Sequence, residues 1–569
     1  MNKEKYILAG LCAALLICAG CSKKNSQPPA ATTVPSIPTE TESVTERPTE
    51  TTVETTEPAP VVLTGYIASK NPEVSYYDEA GTELGTLLRG AEVEYIEADD
   101  GEKTLLVDDQ PVYLQEDSIV TDMESVVPAH TLFVRTAVNL RDKDGKLLND
   151  FAEKGSAVEI TGYDYLQGDG TVHMYRTETG GYIMPWYLAA DEAEALANYD
   201  DGDYATHADR GNRYGGGGAA DLDYYPREKG PIEGNEMPDE CRTLYIASWR
   251  VQYVDDYIAI AKQCDINAFV VDITDGSAIG YAGEVMKVQC PSAVSAASNS
   301  VEDYKAAIQK LKDNGYYVIG RITTFNDSYF VKDHPEYAIT DPDGNPLKLS
   351  GNYWPTPYNR AAWQYKVDLA VEAVELMGFN DIQFDYVRFP DLTWNYEQAG
   401  TIQYHDTYGE SKAQAIQRFL MYATDILHEQ GAYVSADVYG ESAYTYVTAY
   451  GQYWPAISNV VDAISGMPYP DHFSPSGDYK PWENPYDTLY SWGSSVQYRQ
   501  AETATPAAVR TWIQAYDAIR EPYNTYGTYE VFAQIRALRD TGCTGGYMTW
   551  NSGSSLDKYR SLISIFTAP

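Results

Sequence analysis

The chain has 569 residues, with 41 basic and 83 acidic side chains and a net charge of −42. That length exceeds what one hydrophobic core organises, so several domains are expected. An apolar fraction of 44% excludes a wholly disordered chain, and the acidic surface excludes nucleic acid as a natural partner.

Residues 1–21 carry Lys3 and Lys5 before an apolar run from Tyr6 to Gly20. The run is too short to span a bilayer and fits an export signal. Its end, Cys18-Ala19-Gly20-Cys21, resembles a bacterial lipobox. That resemblance implies lipidation of Cys21 and anchoring to the outer face of the cell membrane. Residues 22–61 follow as a linker. Ten Thr, seven Pro and six Glu in 27–60 cannot build a core and favour an extended stalk.

An internal repeat comes next. Asp78-x-x-Gly81 and Gly90-x-x-Val93-Glu94 recur as Asp142-x-x-Gly145 and Gly155-x-x-Val158-Glu159. Short β-branched and aromatic runs between turn residues predict two small β-barrels, at 62–124 and 125–190. They resemble bacterial SH3-like domains, which implies cell-wall peptide as a ligand, with a plain spacer role as the alternative. Residues 191–240, rich in Asp and Gly, are expected to be a second linker.

From 241 to 569 the pattern alternates. β-rich runs at 243–249, 268–274, 316–325, 381–387, 433–440, 463–470, 510–516 and 545–551 are separated by helical spacing at 254–264, 301–315, 361–378, 411–431 and 528–542. Eight such units predict a (β/α)8 TIM barrel of the α/β class. A doubly wound open sheet is the runner-up, but no Gly-rich phosphate turn follows the first strand. Four cysteines remain past the signal, none in CxxC spacing, so neither a metal nor a cofactor is implied. Cys241 precedes the first strand and Cys543 the eighth, which suggests a disulfide between neighbours at the barrel bottom.

Barrel sites form at the C-terminal ends of strands. In DIQFDYVRFP alternation turns Gln383 and Asp385 to the axis, and the fifth strand does the same with Ser435 and Asp437. Adjacent strands bring Asp385 and Asp437 within the separation that paired-carboxylate glycosidases use. Asp385 and Asp437 are therefore the candidate catalytic pair. Trp249, Asp272, Arg321, Gln383, Arg388, Tyr439, Tyr469, His472, Gln514, Trp550 and Asn551 are candidate substrate contacts. Aromatic rings stack on sugar faces, and amides and guanidinium groups read hydroxyls. The competing reading of Asp385 is a structural ion pair with Arg388 or Arg321. Asp341-Pro342-Asp343-Gly344-Asn345 reads as a turn.

The stretches GYYVIGRITTF, HPEYAI, LMGFNDIQFDYVRFP, VSADVYG, ISGMPYPDHF and YMTWN, in that order, resemble a bacterial family of glycoside-hydrolase-like barrels formerly of unknown function, remotely similar to the α-amylase clan. The resemblance implies that Asp385, on the fourth strand, is the nucleophile. The clan's acid is a fifth-strand Glu. Here that place holds Asp437 with Glu441 just beyond, so the general acid is left open among Asp437, Glu441 and Asp272. Thr356-Pro357-Tyr358-Asn359 departs from a DPY-like stretch of the family, which removes an expected sugar-contacting Asp. The reading is a monomeric, exported glycosidase acting on an extracellular or cell-envelope polysaccharide. The alternatives are a non-catalytic carbohydrate- or cell-wall-binding lipoprotein and, more weakly, a metal-dependent deacetylase.

Overall fold

The computed structural model describes residues 61–115, 118–197 and 216–566. Cys21 and the stalk lie outside the described residues. No helix of the described residues is long and apolar enough to cross a membrane.

The repeat seen in the sequence is a repeat in space. Residues 62–120 and 130–189 each fold into seven antiparallel strands with one shared order: third, second, sixth, fifth, fourth, first, seventh. Asp78 and Asp142 make the same turn, each carboxylate capping backbone N–H groups two and four residues on. Gly81 and Gly145 both sit at φ +81°, a left-handed value that explains the glycine in both copies. The first copy keeps a small core of its own around Ile67, Tyr95 and Leu105. The core of the second merges with the barrel's.

Eight parallel strands close the barrel: β1 (Cys241–Ile246), β2 (Ala268–Asp275), β3 (Tyr317–Thr323), β4 (Asp381–Asp385), β5 (Tyr433–Tyr439), β6 (Ala463–Met467), β7 (Ala508–Val509 with Thr511–Gln514) and β8 (Gly546–Trp550). The lower part of β7 pairs with β6 and the upper part with β8, and β8 pairs with β1, which completes the cylinder. A helix follows each strand: α1 (Val254–Ala261), α2 (Val301–Asp313), α3 (Arg360–Met377), α4 (Lys412–Glu429), α5 (Trp454–Ser458), α6 (Pro485–Glu502), α7 (Thr528–Asp540) and α8 (Leu556–Leu562). The sequence pattern located α1–α4 and α7. It missed α6 because tyrosines, serines and Gly493 blur its apolar face. Gly493 is needed there, since a Cβ would collide with the Thr541 hydroxyl of the neighbouring helix.

Two departures concern the lower half. Residues 216–240, expected to be linker, are laid against the barrel. Leu222 and Tyr224 bury among Tyr453 and Ala456, Asn235 donates to the Asn380 and Gly431 carbonyls, and Ile232 packs under the strands. The suggested disulfide does not form: Cys241 and Cys543 are both free. Strand alternation turns Cys241 into the barrel beside Thr243. Cys543 instead packs in the outer layer, against Gln497 and Gly493 of α6.

Candidate active site

Period-two alternation sends Asp272 of β2, Arg321 of β3, Asp385 of β4 and Asp437 of β5 into the barrel near its C-terminal end. Asp272 is level with Arg321, while Asp385 sits one register step higher, opposite Thr323. The arginine is the hub. Its Nη1 donates to Asp272 Oδ1 at 2.7 Å and lies 3.3 Å from Asp275. Its Nη2 donates to Asp385 Oδ2, and its Nε lies 3.6 Å from Asp437 Oδ2. Burial works against the arginine's charge, but Asp385, Asp272 and Asp275 outweigh it and hold its pKa well above the ordinary value.

The carboxylates differ. Asp385 also accepts from the Tyr386 N–H at 2.6 Å, where the backbone turns left-handed at φ +50°. Its side chain is 8% exposed, the one member of the expected catalytic pair with an opening to solvent. Asp437 has none: its side chain is 0% exposed. Trp512 Nε1 donates to its Oδ1 at 2.7 Å, while Oδ2 and Arg321 Nε face each other without hydrogen-bond partners. Burial, then the charge of Asp385, pushes its pKa well above the usual carboxyl range. Burial likewise pushes Asp272 up to about 7, against the pull of Arg321. Tyr245 donates to its second oxygen.

An aromatic wall surrounds the cluster. Trp550 packs on Tyr245 at 4.7 Å and on Trp512 at 5.5 Å, and the Arg321 guanidinium lies 5.4 Å from its ring centre. Tyr469 is buried in the same group. The candidate list missed Tyr245 and Trp512, although the alternation that found Asp385 also turns both inward.

Several candidates lie elsewhere. Gln383 is fully buried below the cluster, donating to Ser465, and cannot reach a substrate. Gln514 braces Asp471 from inside. Arg388 does not pair with Asp385. It is enclosed by Tyr439, Tyr386 and Trp354 and donates to the Tyr439 hydroxyl at 2.7 Å, so it supports the rim from beneath. Asn551 is buried, its amide nitrogen without a partner. Trp249 is 42% exposed on the loop after β1, with Arg250 stacked on it. Asn359 caps α3 by accepting from the Ala362 N–H, which gives the departure at 356–359 a structural use. Asp341 makes the expected turn, accepting from Asp343 and Asn345.

Beside the cluster, at the ends of β5 and β6, a cavity of about 580 Å³ is lined by Tyr439, Glu441, Tyr444, Tyr450, His472 and Arg520 among others. Tyr439 and His472 were expected at the site. His472 is 52% exposed at the rim.

Residues 243–556 match the family described as "Putative glycosyl hydrolase domain". Among solved structures, a hypothetical protein from Ruminiclostridium thermocellum is 32% identical over 34% of this chain and 97% of its own, with a TM-score of 0.29. The glycoside hydrolase domain of PgaB from Bordetella bronchiseptica is 13% identical over 58% of this chain and 99% of its own, with a TM-score of 0.42. Flavobacterium johnsoniae chitobiase is 11% identical over 57% of this chain and 48% of its own, with a TM-score of 0.36. No curated protein matches the chain. By the match across its whole barrel, the chain belongs to the putative glycosyl hydrolase domain family.

Proposed function

We propose that the barrel hydrolyses O-glycosidic bonds of an extracellular or cell-envelope polysaccharide by paired-carboxylate chemistry. One observation carries the reading: Asp385 and Asp437 share a single guanidinium at the strand ends, and only one of them meets solvent. Sharing Arg321 keeps the two carboxyls below the roughly 9.5 Å ceiling of such pairs. Asp385, fixed by Arg321 and the Tyr386 N–H, is the nucleophile or water-activating base. Asp437, kept protonated by burial and by the charge of Asp385, is the proton donor, through an Oδ2 that makes no hydrogen bond and lies 3.6 Å from Arg321 Nε. Trp249 and Trp550 are the stacking surfaces, and Asp272 holds Arg321 in place.

The enclosure of Asp437 favours a second reading, a glycan tether without turnover. Hydrolysis separates the two. Wild-type protein is screened against glycan oligomers with product analysis, alongside Asp385→Asn. Turnover by the wild type, abolished in the variant with ligand still bound, supports hydrolysis. Binding without products from either protein supports the tether, and unchanged hydrolysis by the variant removes Asp385 from the mechanism. The same reading places the protein as a monomer at the outer membrane face through lipid on Cys21, with the two β-modules spacing the barrel or holding cell-wall peptide. Metabolic labelling with a fatty acid, lost in Cys21→Ser, tests the anchor.

A further inference from the structure

The cavity at the ends of β5 and β6 has a chemistry the hydrolysis reading does not use. Its wall includes Tyr439, Tyr444 and Tyr450, with Glu441 among them. Both oxygens of Glu441 are already acceptors: Tyr446 donates at 2.8 Å and Tyr450 at 3.0 Å. Burial and the neighbouring Glu441 hold the Tyr450 hydroxyl well above its usual pKa, so it remains a donor. Two hydroxyl donors thus already engage its carboxyl group. Yet among the described residues Glu441 makes no ion pair, whereas half-buried charges are normally matched.

Arg520 lines the same cavity but makes no ion pair with Glu441, and Asp391 adds a second carboxylate to the wall. The Arg520 guanidinium donates to the Phe473 carbonyl and lies over Trp482. Arg388 is behind Tyr439, 3.8 Å from Asp391. A carboxylate without an ion pair in a cavity lined by tyrosines attracts an ammonium group by charge, and a ring face open to the cavity adds its quadrupole. Tyrosine faces also stack on sugar rings.

We propose that this cavity is a specificity subsite for a protonated amino sugar, with Glu441 as its counter-charge and the tyrosines as its walls. The inference rests on the hydrolysis reading and narrows its substrate to a polysaccharide carrying free amines.

The test uses the full-length Asp385→Asn protein, so that binding is read without turnover. Glucosamine tetramers, in β-1,4 and β-1,6 linkage, are titrated calorimetrically at pH 6 beside the N-acetylated tetramers. The amine form is expected to bind about tenfold tighter, with the preference lost when Glu441→Gln is added. Tyr444→Ala, at a ring already 38% exposed, guards against misfolding and should weaken both tetramers. Equal affinity for the two forms, absence of binding, or a preference that survives Glu441→Gln overturns the subsite. Parallel turnover by wild-type protein keeps the two ideas apart. Hydrolysis of neutral oligomers without amine preference removes the subsite and leaves the enzyme. An intact, Glu441-dependent binding preference with no oligomer cleaved keeps the subsite and removes the hydrolysis.

Discussion

Two arginines are buried inside the barrel, one near each end. At the bottom, Arg510 of β7 pairs with Asp381 of β4 at 2.6 Å, both side chains 0% exposed. Ser435 donates to the other oxygen of Asp381, and the Tyr317 ring lies under the guanidinium. One positive charge meets one negative, and the strap at 216–240 closes the floor. At the top, one arginine meets Asp272, Asp275, Asp385 and Asp437, of which Asp275 and Asp385 open to solvent and Asp272 and Asp437 do not. Burial of charge is costly at either end. The lower pair is balanced in charge, although Arg510 Nε and Nη2 make no hydrogen bond. The upper cluster holds more carboxyls than cations, which the fold accommodates by raising the pKa of Asp437 and Asp272. A surplus maintained against that cost, at the end of the barrel where chemistry is found, marks a site rather than a brace.

The strongest way to break this comparison is to neutralise one aspartate at each end. Asp385→Asn should cut turnover by about 10⁴-fold, the upper range for a positioned carboxyl, with little change in unfolding midpoint, because Arg321 keeps Asp272. Asp381→Asn should do the reverse. It strands Arg510 and should cost about 3–5 kcal/mol in stability, read by urea denaturation. The double change Asp381→Leu with Arg510→Met should recover most of that loss. If Asp385→Asn destabilises as much as Asp381→Asn, the upper cluster is a brace too, and the contrast fails.

A gentler probe is pH. Asp272 is held up to about 7 by burial, against about 3.9 in an unfolded chain. The folded state therefore binds more protons between those values. Its contribution to stability is complete below about pH 4 and is lost as pH rises through 7, at about 1.4 kcal/mol per unit while the two states differ. Asp272→Asn should flatten that part of the stability profile. A slope unchanged in the variant assigns it to other groups.

How much of this was legible in the sequence follows from what leaves a periodic trace. The eight strands of the barrel were readable because each is a short β-rich run between helices. The repeat was readable from two spaced glycines and an aspartate. Alternation found Asp385 and Asp437, and position at the ends of strands added Arg321 and Asp272. Alternation turns Gln383 inward as well, yet it cannot tell an open side chain from a covered one, so Gln383 and Gln514 were expected to meet substrate although both are fully buried. Arg388 reads as a partner for Asp385 by proximity along the chain, but the left-handed turn at Tyr386 sends it into an aromatic enclosure instead. The strap at 216–240 was unreadable because its contacts are with residues some 200 positions away, and composition alone suggests only loose chain.

The smallest effect is expected outside the barrel, at the contact between the second β-module and α4. His173 of the second β-module lies between Asp164 of its own module, at 2.5 Å, and Glu429 of α4, at 3.0 Å, with Tyr165 stacked on its ring at 4.5 Å. Asp164, then Glu429, raises its pKa to about 9, above about 6.5 in an unfolded chain. A base raised in the folded state contributes stability that is complete below pH 6.5 and lost as pH passes 9. The contact should therefore hold the module to α4 at neutral pH and loosen in alkali. Hydrogen exchange at residues 164–177, compared at pH 7 and pH 9.5 after correction for intrinsic rates, should show that loss of protection. His173→Phe keeps the stack on Tyr165 but has no charge to lose, so its protection should not change over the same interval. Protection in the native protein that stays level through pH 9.5 would mean that Arg141 and Arg227, both on Asp425, hold the interface without the histidine.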